Sequence, residues 1–125
     1  MNLVDSSAWM EYFANGSQAD LFKKPIEDTK QLIVPAICIY EVFKKTLQFT
    51  DEKKALEAVT VMRQGEVVAL DDQRALYAAS LSHTLKLPMA DSIIYAIAQE
   101  YKAILWTQDA DFKNFPNVRY FESKK

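Results

Sequence analysis

The chain has 125 residues, 50% hydrophobic and 26% charged, and its 15 Lys and Arg against 17 Asp and Glu leave a formal charge of −2. That is the balance of a single domain with one core over residues 1–125, and it excludes fibrous and disordered classes, a membrane span and a basic coat that grips nucleic acid by bulk charge. Cys38 is the only cysteine and Gly16 and Gly65 are the only glycines, which excludes an internal disulfide, a cysteine-cluster metal site, a Walker A loop and a dinucleotide fingerprint.

Met1 to Asp5 has no positively charged lead and an apolar run too short for a signal peptide, so the expected location is a reducing cytoplasm. Leu3-Val4 reads as a first short strand, and Ser6 to Phe13 as a helix with Trp9, Tyr12 and Phe13 at helical spacing. The next assigned element is the strand Leu32-Ile33-Val34. Pro35 then suits the first turn of a helix running through Glu41 to about Phe49. Asp51 to Arg63 reads as a further helix with Asp51 as its cap. A third strand, Glu66 to Leu70, leads into a helix from about Asp72 to Lys86, and Pro88 opens another with Ile93, Ile94, Ile97 and Tyr101 as its apolar stripe. Ala103 to Trp106 is a fourth strand, Thr107-Gln108-Asp109 leads into a short helix ending before Pro116, and Val118 to Phe121 is a fifth strand. This alternation predicts an α/β layer fold, with a mostly parallel sheet and helices on both faces.

In such sheets ligands sit beyond the carboxyl ends of the strands. Asp5 falls at the end of the first strand, Asp109 just past the fourth, Asp91 in the first turn after Pro88, and Glu41 about two turns into the helix after the second strand. Carboxylates gathered without cationic partners repel each other and are costly to desolvate, and a hard divalent cation, Mg²⁺ or Mn²⁺, is the usual remedy. Phosphodiester hydrolysis is the simplest chemistry for that arrangement.

Each acid also has a purely local role to set against this. Asp5 suits an N-cap, Glu41 an i,i+4 pair with Lys45, Asp91 a helix N-terminus, and Asp109 a cap with Asp111 as a first-turn acid. His83 reads as an ordinary helix residue, Cys38 as packed in the core, and Trp9 and Trp106 as core or interface anchors. The pairs Lys23-Lys24, Lys44-Lys45 and Lys53-Lys54 read as solvated faces, with phosphate contact as the alternative.

Val4-Asp5-Ser6-Ser7-Ala8-Trp9, Ile39-Tyr40-Glu41-Val42, Met89-Ala90-Asp91-Ser92-Ile93-Ile94 and Trp106-Thr107-Gln108-Asp109-Ala110-Asp111-Phe112 together resemble the PIN-domain nucleases. Their order and spacing, and the chain length, are similar to the VapC toxin branch. The resemblance implies a three-layer α/β/α sandwich on a five-stranded sheet and an Mg²⁺- or Mn²⁺-dependent endoribonuclease. It makes Asp5, Glu41, Asp91 and Asp109 the metal-binding acids, with Asp111 as a helper and Ser6, Ser7 and Thr107 as hydroxyls supporting them. It further implies an RNA substrate, a homodimer and a VapB-like antitoxin whose C-terminal peptide blocks the cleft. Alternatives are a PIN nuclease of RNA maturation and a PIN-like scaffold that binds RNA or protein without cutting. A phosphotransfer receiver domain fits poorly, since Asp5 is followed by two serines instead of a second acid.

Overall fold

The computed structural model describes residues 1–124. Its five strands are β1 (Asn2–Val4), β2 (Leu32–Pro35), β3 (Glu66–Val68), β4 (Ile104–Thr107) and β5 (Val118–Tyr120), and they form one sheet in the order β3-β2-β1-β4-β5. Every pairing is parallel. The helices are α1 (Ser6–Phe13), α2 (Ala19–Glu27), α3 (Ala36–Phe49), α4 (Glu52–Met62), α5 (Asp72–Leu85) and α6 (Met89–Glu100). Connections from β1 to β2 to β3 step in one direction across the sheet, whereas β3 to β4 and β4 to β5 step in the other. Right-handed crossovers put connections of opposite direction on opposite faces, which gives the three α/β/α layers. The same reversal creates a crevice between the carboxyl ends of β1 and β4.

The central strands are apolar because both faces are covered: Leu3, Val4, Leu32, Ile33, Val34 and Leu105 are all essentially buried. Helix α6 buries every residue from Ser92 to Ala98, so it behaves as an element of the core and not as a one-sided surface helix. Tyr101, expected on its apolar stripe, is only half-buried. Trp9 is fully buried and stacks on Phe13, while Trp106 is half-buried, donates its indole N–H to Asn2 Oδ1 at 3.0 Å and carries the Arg119 guanidinium over its ring. Both tryptophans are therefore structural anchors. Cys38 is buried and His83 exposed.

Several boundaries differ from the sequence expectation for identifiable reasons. Helix α2 had no counterpart in it, since Pro25 inside the segment reads as a breaker. Ala19, Phe22 and Ile26 nevertheless share one face and are buried, and Pro25 falls close enough to the end that only two residues follow it. Strand β3 ends at Val68 instead of Leu70, because its ladder to β2 ends at Pro35↔Val68, after which α3 begins. Pro35 itself closes β2 and caps α3 from outside the first turn. Strand β4 runs to Thr107, where it pairs with Tyr120, and the short helix after it is a single 3₁₀ turn, Ala110–Phe112.

Candidate active site

The crevice at the β1–β4 switch is a cleft of about 660 Å³. Its floor is Asp5, Ser6, Asp91, Ile94, Gln108 and Asp109, and its walls are α1, through Met10 and Glu11 with Ala14 just past its end, and α3, through Tyr40, Glu41, Lys44, Lys45 and Gln48.

Asp5 leaves β1 with its N–H still bonded to the Trp106 carbonyl of β4 at 3.1 Å. Its side chain is an N-cap: Oδ1 accepts from the Ala8 N–H at 3.1 Å and from Ser7 Oγ at 2.7 Å, and Oδ2 accepts from Thr107 Oγ1 at 2.6 Å. Capping and cleft roles therefore coincide on one residue. Asp5 is 2% exposed, and burial pushes its carboxyl up to about 6 despite these three hydrogen bonds, with Asp109 adding a smaller push in the same direction. Thr107 and Ser7 are linchpins with two duties each. Thr107 Oγ1 also accepts from the Asp109 N–H at 2.8 Å, and Ser7 Oγ accepts from the Gln108 N–H at 3.0 Å, so the β4 loop and the α1 N-terminus are held to the same carboxylate.

Asp91, in the first turn of α6, approaches the 3₁₀ turn after β4: oxygens of Asp91, Asp109 and Asp111 lie within 4.8 Å of one another. A helix N-terminus favours a charged carboxylate. Burial here outweighs it and, with the hydrogen bond to Asp111 and the nearby charge of Asp109, holds Asp91 up at about 8. Asp109 also caps the turn, accepting from the Asp111 N–H at 2.9 Å, and Asp111 is exposed beside it, outside the cleft lining. Glu41 reaches inward from α3 and accepts from Ser6 Oγ at 2.5 Å. Its i,i+4 pairing with Lys45 is not formed: among the described residues the only ion pairs join Arg74 to Asp71 and Glu100. Asp5, Glu41, Asp91 and Asp109 thus line one cleft, with Ser6, Ser7 and Thr107 bonded to them as hydroxyl partners. The close trio is Asp91, Asp109 and Asp111, and neither Asp5 nor Glu41 belongs to it.

Glu11 and Gln108 were not singled out in the sequence. Glu11 lies one helical turn after Ser7 on α1, which was the available signal, and accepts from the Gln18 N–H at 2.7 Å. Gln108 donates to Gln18 Oε1 at 2.6 Å, and Gln18 in turn donates to the Glu122 carbonyl at 3.0 Å, so the cleft floor is tied to α2 and the C-terminal segment. An all-oxygen donor set, with the Asp5 and Asp91 carboxyls raised chiefly by burial, has the chemistry of a site for a hard divalent ion.

The family model for the PIN domain matches residues 3–118. A search of curated proteins gives no match. Among solved structures, the chain is similar to one from a toxin–antitoxin complex of Klebsiella pneumoniae, with TM-score 0.79 and 22% identity over 95% of this chain and 96% of that one. It is similar to VapC20 of Mycobacterium tuberculosis, described as a sarcin–ricin loop cleaving toxin, with TM-score 0.78 and 14% identity over 95% and 99% of the two chains. A third is VapBC2 of Rickettsia felis bound to a promoter DNA fragment, with TM-score 0.75 and 12% identity over 97% and 98%. At these identities the likeness is one of fold.

Proposed function

The chain belongs to the PIN-domain family, and from that premise we propose that it is an endoribonuclease that hydrolyses RNA phosphodiester bonds with Mg²⁺ or Mn²⁺, as the toxin of a VapBC-type pair. The observation that carries this reading is the cleft at the sheet's switch point, where Asp5, Glu41, Asp91 and Asp109 gather without a partner cation of their own. Those four acids would hold the ion, with Asp111 beside Asp109 as an auxiliary oxygen. A divalent cation bound there would supply electrophilic stabilisation of the phosphoryl oxygens and a nucleophile at neutral pH. The chain's own part is positioning. Ser7, Thr107 and the Ala8 N–H fix both Asp5 oxygens, Ser6 holds Glu41 toward the cleft, and the Thr107 hydroxyl sets the Asp109 backbone.

Two surfaces support the assembly expected of such a toxin. An apolar groove of about 490 Å³, lined by Met10, Phe13, Phe49, Ala58 and Val61, shares Met10 and Ala14 with the acidic cleft. An antitoxin segment lying in it would lead its tail onto the acids. Leu76 and Met89, each 71% exposed, and Tyr77 at 47% are uncovered apolar side chains on α5 and at the start of α6, available to a second copy. No helix among the described residues is long and apolar enough to cross a membrane.

The test is cleavage of a panel of tRNA, ribosomal RNA and single-stranded RNA with Mg²⁺, with Mn²⁺ and with EDTA, alongside Asp5→Asn and Asp91→Asn. Cation-dependent cutting lost in both variants supports the reading. Folded protein free of antitoxin that cuts none of these would leave a binding scaffold as the function.

A further inference from the structure

Helix α3 does more in the cleft than deliver Glu41. Tyr40, Lys44 and Gln48 recur at i, i+4 and i+8 and so form one stripe, with Glu41 and Lys45 as the stripe beside it, and all five line the cleft. Tyr40 is 59% exposed, which leaves much of its apolar ring open to solvent. Lys44 and Lys45 are the only cations lining the cleft among the described residues, and neither is in an ion pair. Lys44 instead leans toward the Tyr40 ring, 5.9 Å from its centroid. A chain of net charge −2 with Asp5, Glu11, Glu41, Asp91 and Asp109 in the same cleft would repel a polyanion unless a local cation offset them.

Resting on the nuclease reading, we propose that the exposed face of α3 from Tyr40 to Gln48 is a track for one unpaired RNA strand. Lys44 and Lys45 neutralise backbone phosphates beside the scissile one, Tyr40 stacks on a base, and Gln48 marks the outer end. The stripe is about 12 Å long at about 1.5 Å per residue, enough for a short run of nucleotides. An aromatic face at the mouth selects unpaired bases, because a base inside a duplex has no free π-face to offer. Tyr40 and the lysines bind and position the strand, while the acids carry the reaction.

The experiment compares wild type, the double variant Lys44→Gln/Lys45→Gln, Tyr40→Phe and Tyr40→Ala on a single-stranded 10-mer RNA and on its duplex. All three positions are exposed, so the fold is not at risk. The double variant should raise KM by about tenfold or more while kcat stays within about twofold, the signature of lost strand binding. In the Asp91→Asn background, binding of the labelled 10-mer should lose about 1.4 from the slope of log affinity against log salt, about 0.7 per phosphate contact. Tyr40→Ala should weaken binding of the single strand by roughly fivefold or more, with Tyr40→Phe close to wild type. The duplex should bind more weakly and respond to none of these changes. An unchanged KM and salt slope in an enzyme that still cuts would overturn the track alone, as would a fall in kcat at constant KM. Absence of any RNA cutting by wild type would instead remove the nuclease reading beneath it.

Discussion

Replacing Asp5 by Asn separates what the cleft costs from what it does. Asp5 is buried, has no cationic partner, and has its carboxyl raised from 3.8 to about 6 by burial. With the folded-state value above the unfolded one, the native chain binds this proton more tightly. Stability from this group is therefore present at acid pH and lost as pH rises from the unfolded value through the folded one. A rise from 3.8 to about 6 is worth about 3 kcal/mol in full, and nearly all of it is lost by about pH 7. Asn has no charge to bury. Against that gain, the Thr107 hydroxyl loses its carboxylate acceptor, at about 1 kcal/mol. Without cations, Asp5→Asn should thus be more stable than wild type by about 2 kcal/mol near pH 8, or roughly 6–10 °C in Tm, and equal or slightly less stable near pH 4. Urea unfolding in EDTA at both pH values reads this directly, and the same variant should be inactive on RNA. A variant destabilised equally at both pH values would refute the burial argument.

Three further outcomes are expected. Binding of Mg²⁺ or Mn²⁺ near neutral pH should release about one proton and tighten as pH rises toward 8, because burial and the neighbouring Asp111 and Asp109 hold Asp91 up at about 8; calorimetry in buffers of different ionisation heat counts the protons, and a count of zero would contradict the raised value. Ser6→Ala removes the hydroxyl bonded to Glu41 at 2.5 Å, and should lower Mn²⁺ affinity by about tenfold with little change in stability; unchanged affinity would show that Glu41 does not need the anchor. Gly65→Ala would set a Cβ 2.9 Å from both the Leu32 carbonyl oxygen and Val34 Cγ2, which should cost about 1–3 kcal/mol in urea unfolding while leaving activity per folded molecule unchanged.

The parallel sheet was legible in the sequence because its central strands, such as Leu32-Ile33-Val34, are short apolar runs between helical patterns. Helix α2 was not, because Pro25 breaks the local pattern and only packing of Phe22 and Ile26 against the rest of the chain reveals its buried face. The acids were readable as single positions at strand ends and helix starts. Their local roles were equally readable, and the structure shows that for Asp5 and Asp109 both hold at once, since the carboxylate that caps a turn also faces the cleft. For Glu41 the local pattern misled, because Lys45 at i+4 is outcompeted by Ser6, which lies 35 residues away in sequence. Gln108 was invisible for the same reason, since its partner Gln18 lies 90 residues away in sequence, whereas Glu11 was signalled only by its place one helical turn after Ser7.

The place of β4 between β1 and β5 governs when the site comes into being. Until β4 docks, β1 is an open edge of a three-stranded half-sheet, and Asp5 is 102 residues short of the Thr107 hydroxyl that orients it. Closing that separation is a late, entropically expensive step in folding. A growing chain therefore carries Asp5 and Glu41 through most of its synthesis without Asp109 or the β4 loop that completes the cleft. The cleft is therefore complete only once β4 and the loop after it are made and docked, and a nascent chain shorter than that lacks both the Thr107 hydroxyl and Asp109.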